Sequence, residues 1–212
     1  MSGGISLYEE SKSMLPDARL TGELRLHLGC GPNPLSGWMN VDMYEFPGVD
    51  LVHDLRRPLG FSSESVDAIY TAHVLEHISY RLASYVLSQW LRVLKVGKYI
   101  QIAVPNLRVL VEDYIRDGAY YLPLIQQLYG GLTDSCYDTH KNAIDFAWLS
   151  GQLNWFGCDK IESIATSDRT VLNVVAVKTR HVPAVPYPVL EVGRPRTIHD
   201  RSNNDEATHS GS

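Results

Sequence analysis

One glycine-rich turn and two aspartates, each following a short apolar segment, are placed where they could bind a ligand. The turn spans residues 29–34, and its glycines allow the backbone to approach a ligand closely. Asp42 lies twelve residues after Cys30, where its carboxylate could accept hydrogen bonds from both hydroxyl groups of a ribose. Asp54 ends the next apolar segment, and its carboxylate could accept a hydrogen bond from an exocyclic amine. Each feature alone is common, but their order along the chain favours a nucleoside-type cofactor.

A second chemistry is suggested by residues 73–77, which match the HxxEH pattern of inverted zinc peptidases. In that pattern two histidines one helical turn apart bind zinc and the glutamate activates water. Zinc needs a third protein ligand, and the motif should lie well inside a helix, whereas His73 directly follows an apolar segment. We therefore expect no metal here. His77 is either a capping or surface histidine, or a residue at the mouth of the cofactor site that orients or deprotonates an acceptor.

A tyrosine-rich segment could form a second binding site. Five of the twelve tyrosines lie between Glu112 and Lys141, among them Tyr129 and Tyr137, and His140 precedes Lys141. Amphipathic tyrosines could simply pack a helical insertion onto the rest of the domain. The alternative is a lid over the acceptor, with tyrosine rings as walls and His140 or Lys141 as polar contacts.

Two further basic residues could hold an anionic acceptor. Arg169 and Lys178 belong to the last apolar segments of the chain and the turn between them. Basic residues on a terminal hairpin are more often solvated, with their aliphatic parts packed and their charges in water. Both interpretations stay open at this point.

Apolar segments alternate with helical patterns along the chain. We predict strands at 24–29, 38–42, 49–54, 66–72 and 99–105, helices at 79–95 and 143–157, a further helical region between 105 and 143, and a closing hairpin of 160–165 and 171–178. Alternating strands and helices imply a mostly parallel sheet, and the closing hairpin implies an antiparallel edge. The predicted fold class is an open α/β sandwich.

The first crossover is short, because only eight residues separate Gly29 from Trp38. Eight extended residues reach about 26 Å, and returning along a five-residue strand takes about 17 Å, so the connection fits without a full helix. In open α/β sheets ligands bind outside the carboxyl ends of the strands. The residues that end the strands are therefore expected to act together.

Composition limits the class of protein. The chain has 212 residues, 44% of them hydrophobic, and a formal net charge of −5, which does not favour a general nucleic-acid binder. No apolar run approaches the length of a membrane helix, no signal-peptide pattern is seen, and Cys30, Cys136 and Cys158 form no CxxC pair. We expect a cytoplasmic protein with one domain over 1–181, an insertion at about 106–142, and a proline-rich then polar tail at 182–212.

Several segments together resemble class I S-adenosylmethionine-dependent methyltransferases, most closely the small type-11-like enzymes. The resemblance covers about residues 24–156 and is carried by the segments 28–31, 37–42, 53–55, 65–77, 93–95, 102–105 and 140–141. It implies a Rossmann-like sandwich with a helical lid insertion, S-adenosylmethionine as cofactor and S-adenosylhomocysteine as product. Gly29 and Gly31 would contact the methionine portion, Asp42 the ribose, and Asp54 with Leu55 the adenine. The full cofactor-binding set expected from the resemblance is Gly29, Cys30, Gly31, Asp42, Met43, Asp54, Leu55 and His73.

The resulting expectation is methyl transfer to an oxygen of a small molecule, such as a natural product, a carboxylate or phosphonate, or a sugar. His77 and His140 are the candidate bases, and Tyr129, Tyr137, Lys141, Arg169 and Lys178 are the candidate acceptor contacts. A nicotinamide-binding sheet is less favoured, because the turn lacks a third glycine and the helix that would follow it. A non-catalytic binding or scaffold module and a homodimer stay open.

Overall fold

Seven strands form one sheet in the order β3-β2-β1-β4-β5-β7-β6. The computed structural model describes residues 22–117, 122–131, 138–182 and 185–186. The strands are β1 (Arg25–Leu28), β2 (Met39–Asp42), β3 (Leu51–Val52), β4 (Val66–Ala72), β5 (Leu94–Pro105), β6 (Cys158–Ile164) and β7 (Val171–Lys178). Strands β1 to β5 pair in parallel, and β7 is antiparallel to both β5 and β6. The predicted mostly parallel sheet with an antiparallel C-terminal hairpin is confirmed.

Four α-helices accompany the sheet in the described part of the chain. They are α1 (Tyr80–Val93), α2 (Leu107–Asp117), α3 (Leu122–Tyr129) and α4 (Phe146–Trp155), and a 3₁₀ helix (Leu75–His77) precedes α1. Side chains cap two of them: Ser79 accepts from the Arg81 amide at the start of α1, and Asp145 accepts from the Trp148 amide at the start of α4. None of the helices described combines the length and the hydrophobicity that crossing a membrane requires.

The core lies on both faces of the sheet. Because side chains alternate along a strand, Ile69 of β4 belongs to the large cluster with Trp90 of α1, while Ala68 and Tyr70 belong to a smaller cluster with Trp38. These five side chains are all buried. Burial on both faces explains why β4 is a nearly continuous apolar run.

Two strands, β5 and β3, differ most from the sequence prediction. β5 begins at Leu94 rather than at residue 99, and Gly97 interrupts it with a φ of 82°, where the pairing of β4 with β5 shifts register. Polar residues around this bulge interrupt the apolar pattern, so the sequence does not indicate that the strand begins at Leu94. β3 is shorter than predicted, with only Leu51 and Val52 paired to β2. The short crossover between β1 and β2 contains no helix, as expected.

The insertion is joined to the main domain at the 3₁₀ helix. It contains α2, α3 and a bridge between Gly130 and Thr139. The backbone amides of Lys141 and Asn142 donate to the carbonyl oxygen of Glu76, at 2.7 and 3.1 Å. These two hydrogen bonds place the end of the insertion beside the carboxyl end of β4. Most of the predicted 182–212 tail lies outside the described residues.

Candidate active site

A cavity of about 310 Å³ opens at the carboxyl ends of β1, β2 and β4. Strand order reverses between β1 and β4, which is the position where open α/β sheets bind ligands. Nine residues predicted from the sequence line this cavity: Gly29, Gly31, Asp42, Met43, Asp54, Leu55, His73, His77 and Lys141. The fold thus brings residues from five separate segments of the chain to one site.

The two glycines of the first turn serve different purposes. Gly29 has a φ of 72°, and a Cβ atom there would overlap Cγ2 of Val74 in the segment after β4. Gly31 has a φ of 51°, but a Cβ atom there would meet no protein atom within 4 Å. Gly29 is therefore needed for packing. The open space beside Gly31 belongs to the cavity and is available to a ligand.

Asp42 ends β2 with its carboxylate held by two backbone amides. Oδ2 accepts from the Gly31 amide at 2.8 Å, and Oδ1 accepts from the Tyr44 amide at 2.9 Å. A carboxylate has about four lone-pair sites, so each oxygen keeps acceptor capacity towards the cavity. This fixed carboxylate has the acceptor chemistry that two ribose hydroxyl groups require.

Asp54 is paired with Arg56, a cavity residue that sequence analysis missed. Asp54 accepts from the Arg56 amide at 3.0 Å and from its guanidinium Nε and Nη2, both at 2.8 Å. These hydrogen bonds hold the pKa of Asp54 below its usual value against the opposing effect of burial. Three bonds leave the carboxylate with limited capacity for an exocyclic amine. The two-residue spacing of an Asx turn is the one sequence signal that could have indicated the pair.

Aromatic residues after β2 form a wall that sequence analysis also missed. Tyr44 and Phe46 line the cavity, and their rings meet edge to face with centroids 6.2 Å apart. The sequence prediction instead placed the aromatic wall of the site at the tyrosines of the insertion. A Tyr and a Phe within four residues of the strand-ending aspartate was the available signal.

His73 and Glu76 contact one another at the carboxyl end of β4. His73 has a φ of 55°, and its Nδ1 lies 3.2 Å from Oε1 of Glu76. Burial would lower the pKa of His73, but the hydrogen bond and charge of Glu76, with the charge of Asp168, raise it above its usual value. His73 lies before the three-residue 3₁₀ helix and not within an α-helix. The arrangement that a zinc peptidase requires is therefore not formed.

The structure brings His77 and His140 into contact. Their ring centroids are 4.7 Å apart, with the planes nearly perpendicular. His77 lines the large cavity, whereas His140 lines an adjoining crevice together with Glu76. Burial lowers the pKa of His77, the nearby His140 lowers it further, and Glu76 partly opposes both effects.

Lys178 does not belong to the site, which corrects the prediction that it contacts the acceptor. Because β7 is antiparallel to β5, its last residue lies at the opposite edge of the sheet from the cavity. The Lys178 side chain is buried there, and its Nζ donates to the carbonyl of Leu94 at 2.6 Å and contacts Glu64 at 3.2 Å. Its role is structural.

Three other predicted residues that the structure describes, Arg169, Tyr129 and Cys30, are not among those that line the cavity. Arg169 instead lies 3.1 Å from Asp113 of α2, and Tyr129 is 56% exposed on α3. The thiol of Cys30 is buried behind the turn, and this burial is the largest cause that raises its pKa to about 11. Tyr137 lies outside the described residues.

Comparison with known proteins gives structural matches only. No protein-family profile and no curated protein matches the chain. A Thermotoga maritima methyltransferase described as a possible histamine N-methyltransferase is 14% identical, with a TM-score of 0.58 over 82% of this chain and 88% of its own. A methyltransferase from Archaeoglobus fulgidus is 18% identical, with a TM-score of 0.53 over 80% and 94%. One from Mesorhizobium loti is 15% identical, with a TM-score of 0.51 over 82% and 99%.

These likenesses define the class of fold. The chain has the Rossmann-like fold of class I S-adenosylmethionine-dependent methyltransferases, as the resemblance of its motifs implied. The match spans 88–99% of each of these solved chains. Assignment to the type-11-like group stays a prediction.

Proposed function

We propose that the protein is an S-adenosylmethionine-dependent methyltransferase that acts on an oxygen atom of a small molecule. The observation that carries the proposal is the Asp42 carboxylate, fixed by two amides beside the open space at Gly31. This pair of features lies at the reversal of strand order in a methyltransferase fold. A site with acceptors for a ribose and no phosphate-binding helix suits a cofactor that has no phosphates.

The cofactor would bind along the wall formed by β1, β2 and β3. Gly29 and Gly31 would contact its methionine portion, Asp42 its ribose, and Leu55 with Tyr44 its adenine. The cofactor supplies a methyl group on a positively charged sulfur, and a nucleophile that bonds to this carbon leaves the electron pair on the sulfur of S-adenosylhomocysteine. Such an activated donor requires the protein chiefly to position two reactants and exclude water.

The acceptor would bind beside the insertion. His73, His77, Asp138 and Lys141 line this end of the cavity. A cavity of about 310 Å³ is at the lower end of ligand-site volumes, which favours a small molecule or the reactive end of a larger one as the acceptor. The Lys141 cation favours an anionic acceptor, and the histidine pair favours one whose hydroxyl group must lose a proton.

Calorimetry with S-adenosylhomocysteine tests the cofactor part of the proposal. We expect one molecule bound per chain, and no comparable binding of NAD. Activity is then measured as S-adenosylhomocysteine formed from S-adenosylmethionine with panels of hydroxyl, carboxylate and amine acceptors. Turnover confined to amines would contradict the oxygen assignment. Tight binding with no turnover on any acceptor would favour the non-catalytic module.

A further inference from the structure

We propose that Glu76, His77 and His140 bind one divalent transition-metal ion between the insertion and the carboxyl end of β4. Each residue offers a ligand atom, and the three atoms lie within 4.8 Å of one another. Two imidazoles and one carboxylate form a ligand set that Zn²⁺ and related ions accept, with one or more positions left open. Ligands at about 2.0–2.2 Å from one ion lie roughly 3–3.5 Å apart, so modest side-chain rotation would complete the site.

Two unpaired buried atoms support a cation site at this position. Oε2 of Glu76 and Nδ1 of His77 are buried and have no hydrogen-bond partner among the described residues. The Glu76 side chain is only 2% exposed. Most buried polar atoms in folded proteins are paired, and a carboxylate oxygen and an imidazole nitrogen facing one another are both metal ligands. A bound cation would satisfy the two atoms together.

The proposed ligands His140 and Glu76 each make a further contact through an atom that would not bind the metal. Such outer contacts are typical of metal sites. Nδ1 of His140 lies 2.9 Å from the carbonyl oxygen of Gln127, which leaves Nε2 to face the cluster. Oε1 of Glu76 lies 3.2 Å from Nδ1 of His73. Such outer contacts orient ligands and fix the histidine tautomer.

The tertiary structure holds the third ligand in place. Glu76 and His77 belong to the 3₁₀ helix, and the amides of Lys141 and Asn142 donate to the Glu76 carbonyl. His140 is therefore anchored beside them although it lies far along the chain. Glu76 and His140 also line a crevice of about 10 Å³, close to the smallest volume that holds a single water molecule.

This site would take up the acceptor, an inference that rests on the proposed methyltransferase function. His77 faces the large cavity, so an open coordination position on its side could bind an acceptor hydroxyl oxygen. Coordination lowers the pKa of a bound hydroxyl group, and its proton passes to solvent water. The oxygen then becomes a nucleophile at neutral pH, and the ion keeps its oxidation state. The predicted acceptor class is a molecule with a hydroxyl group or a pair of adjacent oxygens.

Zinc binding by the whole chain, made without a polyhistidine tag and stripped with a chelator, tests the site. We expect calorimetry to show one Zn²⁺ per chain. Glu76→Gln and His140→Ala should each weaken binding at least tenfold, and His73→Ala should weaken it by about 10–100-fold through the lost outer contact. His181→Ala is the matched control, because His181 is 83% exposed and contacts Glu64 away from the cluster.

The same samples are titrated with S-adenosylhomocysteine, which separates the two proposals. A chain that binds S-adenosylhomocysteine but no Zn²⁺ overturns the metal site and leaves the methyltransferase proposal standing. Zinc binding that Glu76→Gln and His140→Ala leave unchanged also overturns it, because the ion would then lie elsewhere. Zinc bound by the cluster without S-adenosylhomocysteine binding supports the metal site and overturns the methyltransferase proposal. If Glu76→Gln does not fold, the half-buried His140→Ala decides the matter.

Discussion

We expect cofactor binding to depend more on Asp42 than on any other side chain. Asp42→Ala removes the acceptors for the ribose and leaves the amides of Gly31 and Tyr44 unpaired. We expect affinity for S-adenosylhomocysteine to fall by roughly 1.5–3 kcal/mol, the range for hydrogen bonds to charged groups. Calorimetry measures the change. Asp159→Ala, at an exposed position of β6, is the control and should keep the wild-type affinity.

We expect the pair of His77 and His140 to affect turnover rather than cofactor binding. His77→Ala and His140→Ala should each lower the rate of methyl transfer by about 10²-fold, because either loss impairs removal of the acceptor proton. The affinity for S-adenosylhomocysteine should stay near the wild-type value, since both rings lie at the acceptor end. Steady-state kinetics on an identified acceptor, with His181→Ala as control, provides the measurement.

Full turnover in both histidine variants would mean that the acceptor reaches the site already ionised. A carboxylate or phenolate held by Lys141 would then explain the reaction better than a sugar hydroxyl. In that case Lys141→Ala should raise KM for the acceptor. The histidines would be left with a structural role.

The contact between the first turn and the 3₁₀ segment depends on a glycine. Gly29→Ala combines a positive φ with overlap against Val74, whereas Gly31→Ala has the positive φ alone. We expect the free energy of unfolding to fall by about 3 kcal/mol for the first and about 1 kcal/mol for the second. Urea unfolding measures both values. Adding Val74→Ala to Gly29→Ala should cost less than the sum of the single changes, and strict additivity would argue against the overlap.

The buried carboxylate of Asp67 links the beginning of β4 to β5 through an ion pair. Both oxygens of Asp67 accept from Nζ of Lys95 at 2.8 Å, and Oδ2 also accepts from the Leu24 amide at 3.0 Å. Burial raises the pKa of Asp67, but these bonds outweigh it and the pKa lies below its usual value. A pKa that is lower in the folded chain stabilises the fold above the unfolded-state value of about 4, and this contribution is lost as the pH falls.

Asp67→Asn should therefore lower the free energy of unfolding by about 1–3 kcal/mol at neutral pH. The difference from wild type should shrink as the pH is lowered from about 4 towards 2, because the wild-type carboxylate then becomes protonated. Urea unfolding at several pH values measures it, with exposed Asp159→Asn as the control. A difference that is constant across this pH range would contradict the ionic interpretation.

The domain as a whole should be independent of most of the C-terminal tail. Val182 and Val185 pack against the main core, whereas among the described residues none after Lys141 lines the large cavity. A chain that ends at residue 186 should match the full chain in urea midpoint and in affinity for S-adenosylhomocysteine. A chain that ends at 181 should lose about 1–3 kcal/mol of unfolding free energy with the two valines, and keep its affinity. Reduced affinity in the chain that ends at residue 181 would show that the removed residues belong to the site.

The amino-acid sequence alone determined the elements whose signals are local. The boundaries of β4 and β7 match the predicted ones, because buried strands are apolar runs that end at polar residues. Asp42 ends β2 as predicted. Gly29, Gly31, Asp42 and Asp54 could be assigned to one site because parallel strands end at the same edge of a sheet.

Only the tertiary structure decided which distant residues meet. Because β7 is antiparallel to β5, Lys178 lies at the opposite edge of the sheet from the cavity. The bulge at Gly97 interrupts the sequence pattern of β5, so the start of this strand was not predicted. The sequence around residues 73–77 offers no third metal ligand nearby, and the fold brings His140 to Glu76 and His77. Periodicity within a segment reports which face is buried, but not which segment covers it. Which segment covers a face depends on strand order, strand direction and the docking of the insertion. These are set by how all the segments pack together around the core.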